Sequence, residues 1–121
     1  MHRFEIAITV ALALGKNSPP AVVSALGEAI TFSAAMGTWP QAAQATAALA
    51  VIVAGVHDTA VTTLIAAIAR HADDPGFAGL SAGLRQRLGA DAWLEASQAG
   101  LTLNADEIAR LARGCARLTA S

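Results

Sequence analysis

The chain has 121 residues, of which 55% are hydrophobic and only 14% charged, with a formal net charge of −1. That length corresponds to one domain (1–121), and a charge near zero gives no global pull toward nucleic acid or an anionic membrane. The single cysteine, Cys115, excludes an internal disulfide framework and a multi-thiolate metal site, and fits a reducing cytoplasm.

Much of the apolar content is alanine, the strongest helix former but a small contributor of buried area. The aromatics are Phe4, Phe32, Phe77, Trp39 and Trp93. Such a core favours closely packed helices over a wide, deep pocket. Between Met1 and His57 the charged side chains are Arg3, Glu5, Lys16 and Glu28 alone. The neutral N-terminal half is therefore expected to carry an apolar surface for a protein partner or a second copy, around Ile6, Val10, Val22 and Val23.

Residues 1–15 contain the first candidate helix, Phe4 to Leu14, ended by Gly15-Lys16-Asn17. Its apolar run follows Arg3 and contains Ala11-Leu12-Ala13, yet Glu5 at its head is unfavourable for a signal peptide. Ser18 offers an N-cap before Pro19 and Pro20, and Val22, Val23, Leu26, Ile30 and Ala34 give the next helix its apolar spacing up to Met36. Gly37 supplies a left-handed stop, and Thr38 and Pro40 open the helix that runs to Gly55. The run Ala42 to Val56 falls short of the roughly 18–20 residues that a membrane span needs, and His57-Asp58 ends it.

Asp58 reads as the N-cap of a fourth helix reaching about Ala72. Asp73 or Asp74, with Pro75, starts a fifth to Leu88, in which Gly76, Gly79 and Gly83 each cost about 1 kcal/mol against Ala. Gly89 turns the chain into a sixth helix, Asp91 to Ala99, anchored by Trp93 and stopped at Gly100. Asn104 and Glu107 form a capping box for the last, Ala105 to about Leu118. The expectation is an all-α chain of about seven short helices stacked as antiparallel hairpins (22–56, 58–88 and 90–118), a right-handed tetratricopeptide-like array. Gly37, Trp39 and Ala42 sit at the turn offsets of a tetratricopeptide unit.

Two segments carry a family resemblance. Gly37-Thr38-Trp39-Pro40-Gln41-Ala42-Ala43-Gln44-Ala45-Thr46-Ala47-Ala48, and the stretch Leu84 to Glu107 with its Leu-Gly turn, Trp93, Gly100 and Glu107, resemble the C-terminal helical repeats of the large ATP-binding, LuxR-type transcriptional regulators of actinobacteria. Gln44 replaces a usual basic residue of that pattern, and Ala45-Thr46 a bulky pair. The resemblance implies a sensor or protein-contact arm, non-enzymatic and without a cofactor. No glycine-rich phosphate loop occurs, and no helix-turn-helix follows Leu118, so neither ATP binding nor direct DNA binding is expected of this chain. A rival reading is a small secreted or envelope-associated helical protein with Met1 to Ala13 removed.

Catalytic or metal chemistry has two candidate clusters, His57-Asp58 and His71-Asp73-Asp74. The two histidines bracket one helix at a separation of about 21 Å, too far for a shared metal, and the aspartates are better used as caps. Arg110, Arg113 and Arg117 share a helix face and offer a basic surface, which also suits a helix C-terminus. Trp39 and Trp93 read as plugs between helices, and Cys115 as a small buried hydrophobe. Ser18, Ser24 and Ser33 lack the Gly-x-Ser-x-Gly setting of a hydrolase.

Overall fold

Helix punctuation in the sequence becomes helix boundaries in the structure. A computed structural model describes residues 19–53 and 55–120, with side chains described from 21 to 116 apart from 54. Six helices follow one another: α1 (Pro19–Met36), α2 (Trp39–Ile52), α3 (Asp58–Ala69), α4 (Pro75–Leu88), α5 (Ala90–Gly100) and α6 (Ala105–Ala120). No strand occurs among the described residues. The expected first helix, Phe4 to Leu14, lies outside them.

Turn chemistry explains most of these limits. Gly37, Gly55 and Gly89 have φ of 72°, 83° and 90°, a backbone that only glycine adopts without strain. Gly89 both ends α4 and starts α5, its N–H donating to the Arg85 carbonyl and its carbonyl accepting from Trp93. The Asp74 carboxylate caps α4 by accepting from the Gly76 N–H at 2.8 Å. At the head of α6, Asn104 N–H donates to Glu107 and Glu107 N–H to Asn104, at 3.1 and 2.9 Å, the reciprocal capping box expected there. Two expected caps do something else. The Thr38 hydroxyl donates backwards to the Ser33 carbonyl, and Asp58 lies inside α3 with His57 in the cap position.

The core runs through all six helices. Leu26 and Ile30 of α1, Leu49 of α2, Leu64 and Ile68 of α3 and Ile108 of α6 are fully buried. Val22 and Val23, expected on a partner surface, are buried with them and belong to the chain's own core. Ile6 and Val10, their expected companions, lie outside the described residues. The most extensive helix pairing joins α1 to α6, the first and last described helices. In an open solenoid each repeat touches only its neighbours. Here Ile108, Ala112, Cys115 and Ala116 form the buried stripe of α6 and close the bundle over α1. At the centre, α3 touches α2, α4, α5 and α6.

Two glycines let an alanine-rich core close. Gly27 of α1 faces α6 so tightly that an added Cβ lies 2.9 Å from Ala116 Cβ and 3.4 Å from the Ala112 carbonyl oxygen. Gly100, expected as a helix stop, is the last residue of α5; it has no positive φ, and it sets that end of the helix against α3. A Cβ there meets the Thr63 carbonyl oxygen and lies 2.9 Å from the Ala67 nitrogen, backbone atoms that cannot turn aside. Gly100→Ala is therefore expected to destabilise the fold by about 1–3 kcal/mol through overpacking. Gly114→Ala in α6, where a Cβ meets nothing, should be neutral or stabilising by up to about 1 kcal/mol. Urea denaturation followed by circular dichroism compares the two.

Candidate functional site

The helix arrangement around α3 leaves a groove. Antiparallel packing of α3 and α4 places Asp58, at the start of one, beside Arg87, at the end of the other. By contrast α3 and α5 run parallel. Thr63 pairs with Ala96, Ala67 faces Gly100 and Arg70 reaches Leu103, a constant offset of 33 residues in each case. Three helices thus meet with α4 opposed to the other two, and the space between them is about 760 Å³. Ligand pockets for small molecules span roughly 300–1,000 Å³.

Helical spacing explains what lines it. Thr62, Ile65, Ala66, Ala69 and Arg70 of α3 follow the three- and four-residue rhythm of one face, as do Leu94, Ser97, Gln98 and Leu101 of α5. The α4 side supplies Pro75, Phe77, Ala78 and Ser81. Small residues (Ala66, Ala69, Ala78, Ser81 and Ser97) alternate with larger ones along these walls, and the space between them stays open. Leu94 and Leu101 remain 50% and 52% exposed one heptad apart, while Phe77 of the α4 wall is buried. Scarce aromatics and abundant alanine favoured close packing over a wide, deep pocket, and the space here is an open groove where α4 stands off from α3 and α5.

The two ends of the groove differ. Arg70, Asp73, Asp74 and Leu101 gather where α3 and α5 finish and α4 begins, whereas Thr62, Ser81 and Trp93 lie toward the other end. At the polar end, Arg70 Nη1 donates to the Leu103 carbonyl at 3.0 Å, while Asp74 is occupied by its cap on Gly76. Asp73 is exposed. Trp93 is partly buried against the core, and the Arg85 guanidinium lies 5.6 Å from its ring centroid, a cation–π contact that fixes the ring from outside.

The α4 wall has few fixings. Only Phe77 and Leu84 of α4 are buried, and its second tie is the ion pair with α3. Arg87 Nε and Nη2 donate to the two Asp58 oxygens at 2.9 and 3.0 Å, a bidentate pairing in which the Asp58 side chain is 15% exposed. The Arg87 hydrogen bonds, with a further donation from the Gly55 N–H, hold the Asp58 carboxyl below its ordinary range against the opposing effect of burial. Asp58 thus joins two helices rather than capping one.

Other sequence candidates fall apart in space. His57 and His71 stand at opposite ends of α3, and no group of three metal-ligating side chains occurs among the described residues. His71 stacks on Trp39 with ring centroids 3.9 Å apart and an interplanar angle of 11°, tying the end of α3 to the start of α2. On the basic face, Arg113 pairs with Glu28 of α1 at 3.2 Å in an exposed bridge, and Arg110 is exposed. The Arg117 side chain lies outside the described set. Cys115 is buried, which pushes its thiol pKa up and makes it a poor nucleophile. Ser33 is buried and Ser24 exposed, Ser18 lies outside the described residues, and neither His nor Cys lines the groove. The polar side chains that do line it are Thr62, Arg70, Asp73, Asp74, Ser81, Ser97 and Gln98.

Family models, curated proteins and solved structures were compared with the chain, and none matches. The ion pair makes a direct prediction. Because the folded pKa of Asp58 is depressed, its contribution to stability is fully present above the unfolded value of about 4. It is lost as pH falls through the folded value. Asp58→Asn should lower the unfolding midpoint at neutral pH and flatten the acid limb of the stability profile, as read by urea denaturation between neutral and strongly acidic pH. An unchanged acid limb would show that the pair contributes nothing to the fold.

Proposed function

We propose that the chain is a non-enzymatic binding module of the sensor type, in which the groove between α3, α4 and α5 receives an apolar group. The observation that carries this reading is the open space of about 760 Å³, with Leu94 and Leu101 exposed beside it and polar groups at one end. Mechanistically it is surface burial. An apolar body removes the leucine edges from water at about 25 cal/mol per Å² and touches walls from three helices at once. Cytoplasmic residence accords with the lone buried cysteine and with the finding that no described helix is long and apolar enough to cross a membrane.

The same reading connects with the sequence resemblance to the helical arm of ATP-binding LuxR-type regulators, a tetratricopeptide-like array in which such modules act as sensors or contact surfaces. Support comes from the two segments that carry the resemblance, Gly37–Ala48 and Leu84–Glu107. The second of them contributes Trp93, Leu94, Ser97, Gln98 and Leu101 to the groove.

A second reading, self-association through the neutral N-terminal half, rests on one observation of its own. Phe32 and Met36 are 63% and 64% exposed, one turn apart on α1, in a region poor in charge. They take the place of Val22 and Val23 as the candidate contact.

Each reading has its test. Ala69 is exposed and lines the groove, so Ala69→Phe fills it without touching the core. The unsubstituted chain should bind the neutral dye Nile red saturably with a blue shift, and Ala69→Phe should weaken that binding roughly tenfold at unchanged helicity, about 1.4 kcal/mol. Equal binding by the two proteins rejects the groove. For self-association, light scattering across dilution should show an oligomer that Phe32→Asp with Met36→Asp converts to a folded monomer. A monomeric parent chain sinks this second reading.

A further inference from the structure

Taking the groove as a binding site, as proposed above, we infer that its occupant is a small amphipathic molecule with a protonated amine head and an apolar body, the amine at the Asp73 end and the body running toward Trp93. Size favours a small molecule over a protein. The open lining is a fraction of the roughly 800 Å² per partner that a standard protein interface buries. From Thr62 to Ala69 the α3 wall is about 12 Å long, at 1.5 Å of rise per residue. That is the length of an aromatic ring with a short alkyl chain.

Charge chooses the head. The ionisable groups of the lining are one guanidinium, Arg70, and two carboxylates, Asp73 and Asp74, all at the same end. Arg70 already donates to the Leu103 carbonyl beyond the groove, and one Asp74 oxygen accepts from Gly76. Asp73, exposed beside them, tips the local balance to negative. The formal sum of the three is −1, which favours an ammonium over a carboxylate head, and Asp73 supplies the acceptor within the same groove. The other nearby cation, Arg85, is held over Trp93 at the opposite end, where the uncharged body lies. No covalent step is involved.

The experiment uses the whole chain with Trp39→Phe, which leaves Trp93 as the sole tryptophan and keeps a ring to stack on His71. Phenylbutylamine, phenylbutanol and phenylbutyrate share one body and differ in the head. Trp93 emission should respond saturably to the amine, with an affinity roughly fivefold above that for the carboxylate. The alcohol should fall between them. Asp73→Asn should remove the preference and Asp73→Lys should reverse it, while added salt should shrink it. Phenylbutyrate binding as tightly as the amine overturns the assignment, as does a preference that survives Asp73→Lys. If the alcohol binds and Ala69→Phe blocks it while the amine has no advantage, only the head assignment falls. If none of the three binds and Nile red does not bind either, the groove reading falls with it.

Discussion

Gly100 brings the backbone of α5 onto the backbone of α3, and the positions of the groove residues on these two helices follow from that contact. With Cβ space closed by the Thr63 carbonyl and the Ala67 nitrogen, the two helices lock in one parallel register. The Thr63 hydroxyl, 3.0 Å from the Ala96 carbonyl, and Arg70 on the Leu103 carbonyl repeat that register at the same offset. A shift by one turn would move Leu94 and Leu101 by about 5.4 Å along α3. The polar end would then lose its alignment with Arg70. Leu94, Ser97, Gln98 and Leu101 face the groove because Ala96 and Gly100 face α3.

Close approach also explains how a core so poor in large side chains holds together. Alanine contributes little transfer energy, but it lets backbones come near enough for continuous van der Waals contact. Gly27 against Ala112 and Ala116 does for α1 and α6 what Gly100 does for α5 and α3. Between these contacts, the larger buried residues Leu26, Ile30, Leu49, Leu64, Ile68 and Ile108 supply most of the apolar burial. Where α4 crosses, no glycine brings it in. Gly79 meets nothing, and Gly76 and Gly83 meet mainly polar side-chain atoms of Asp74 and Arg87. The groove is what an alanine-rich bundle leaves where one helix lacks a close-approach site.

What could be read in the sequence was local. Gly37, Gly89, Asp74 before Pro75, and the Asn104–Glu107 box act within a few residues of themselves, and the structure places each as its local chemistry dictates. Burial of the apolar stripe of α1 and of Cys115 was also legible, but specific contacts with distant partners were misread or unseen. Asp58 has the look of a cap until Arg87 arrives from 29 residues away. Gly100 is the helix end it looks to be, but its close approach to the α3 backbone has no local signature. Val22 and Val23 lay in a stretch poor in charge, which marks an apolar surface without saying whether the chain itself covers it. The groove left one trace, Leu94 and Leu101 a heptad apart with Ser97 and Gln98 between them. That trace identifies a face, but its exposure depends on how far α4 stands from α5.

The weakness of α4 and the existence of the groove have a common origin. Three glycines lower its intrinsic helix stability by about 1 kcal/mol each, and two buried side chains, one carboxylate cap and one ion pair hold it. The helix is therefore the least anchored wall of the site, and the groove's width depends on the few contacts that seat it. An occupant touching α3, α4 and α5 together adds to those contacts. By linkage, whatever steadies α4 on α3 raises affinity for the occupant, and the occupant steadies α4 by the same free energy. The Asp58–Arg87 pair lies outside the groove lining, on the α3–α4 contact that sets the groove's width. Its strength therefore bears on binding without contact with the ligand. On the proposed reading, an occupant of the groove would act on the fold through the seating of this one helix.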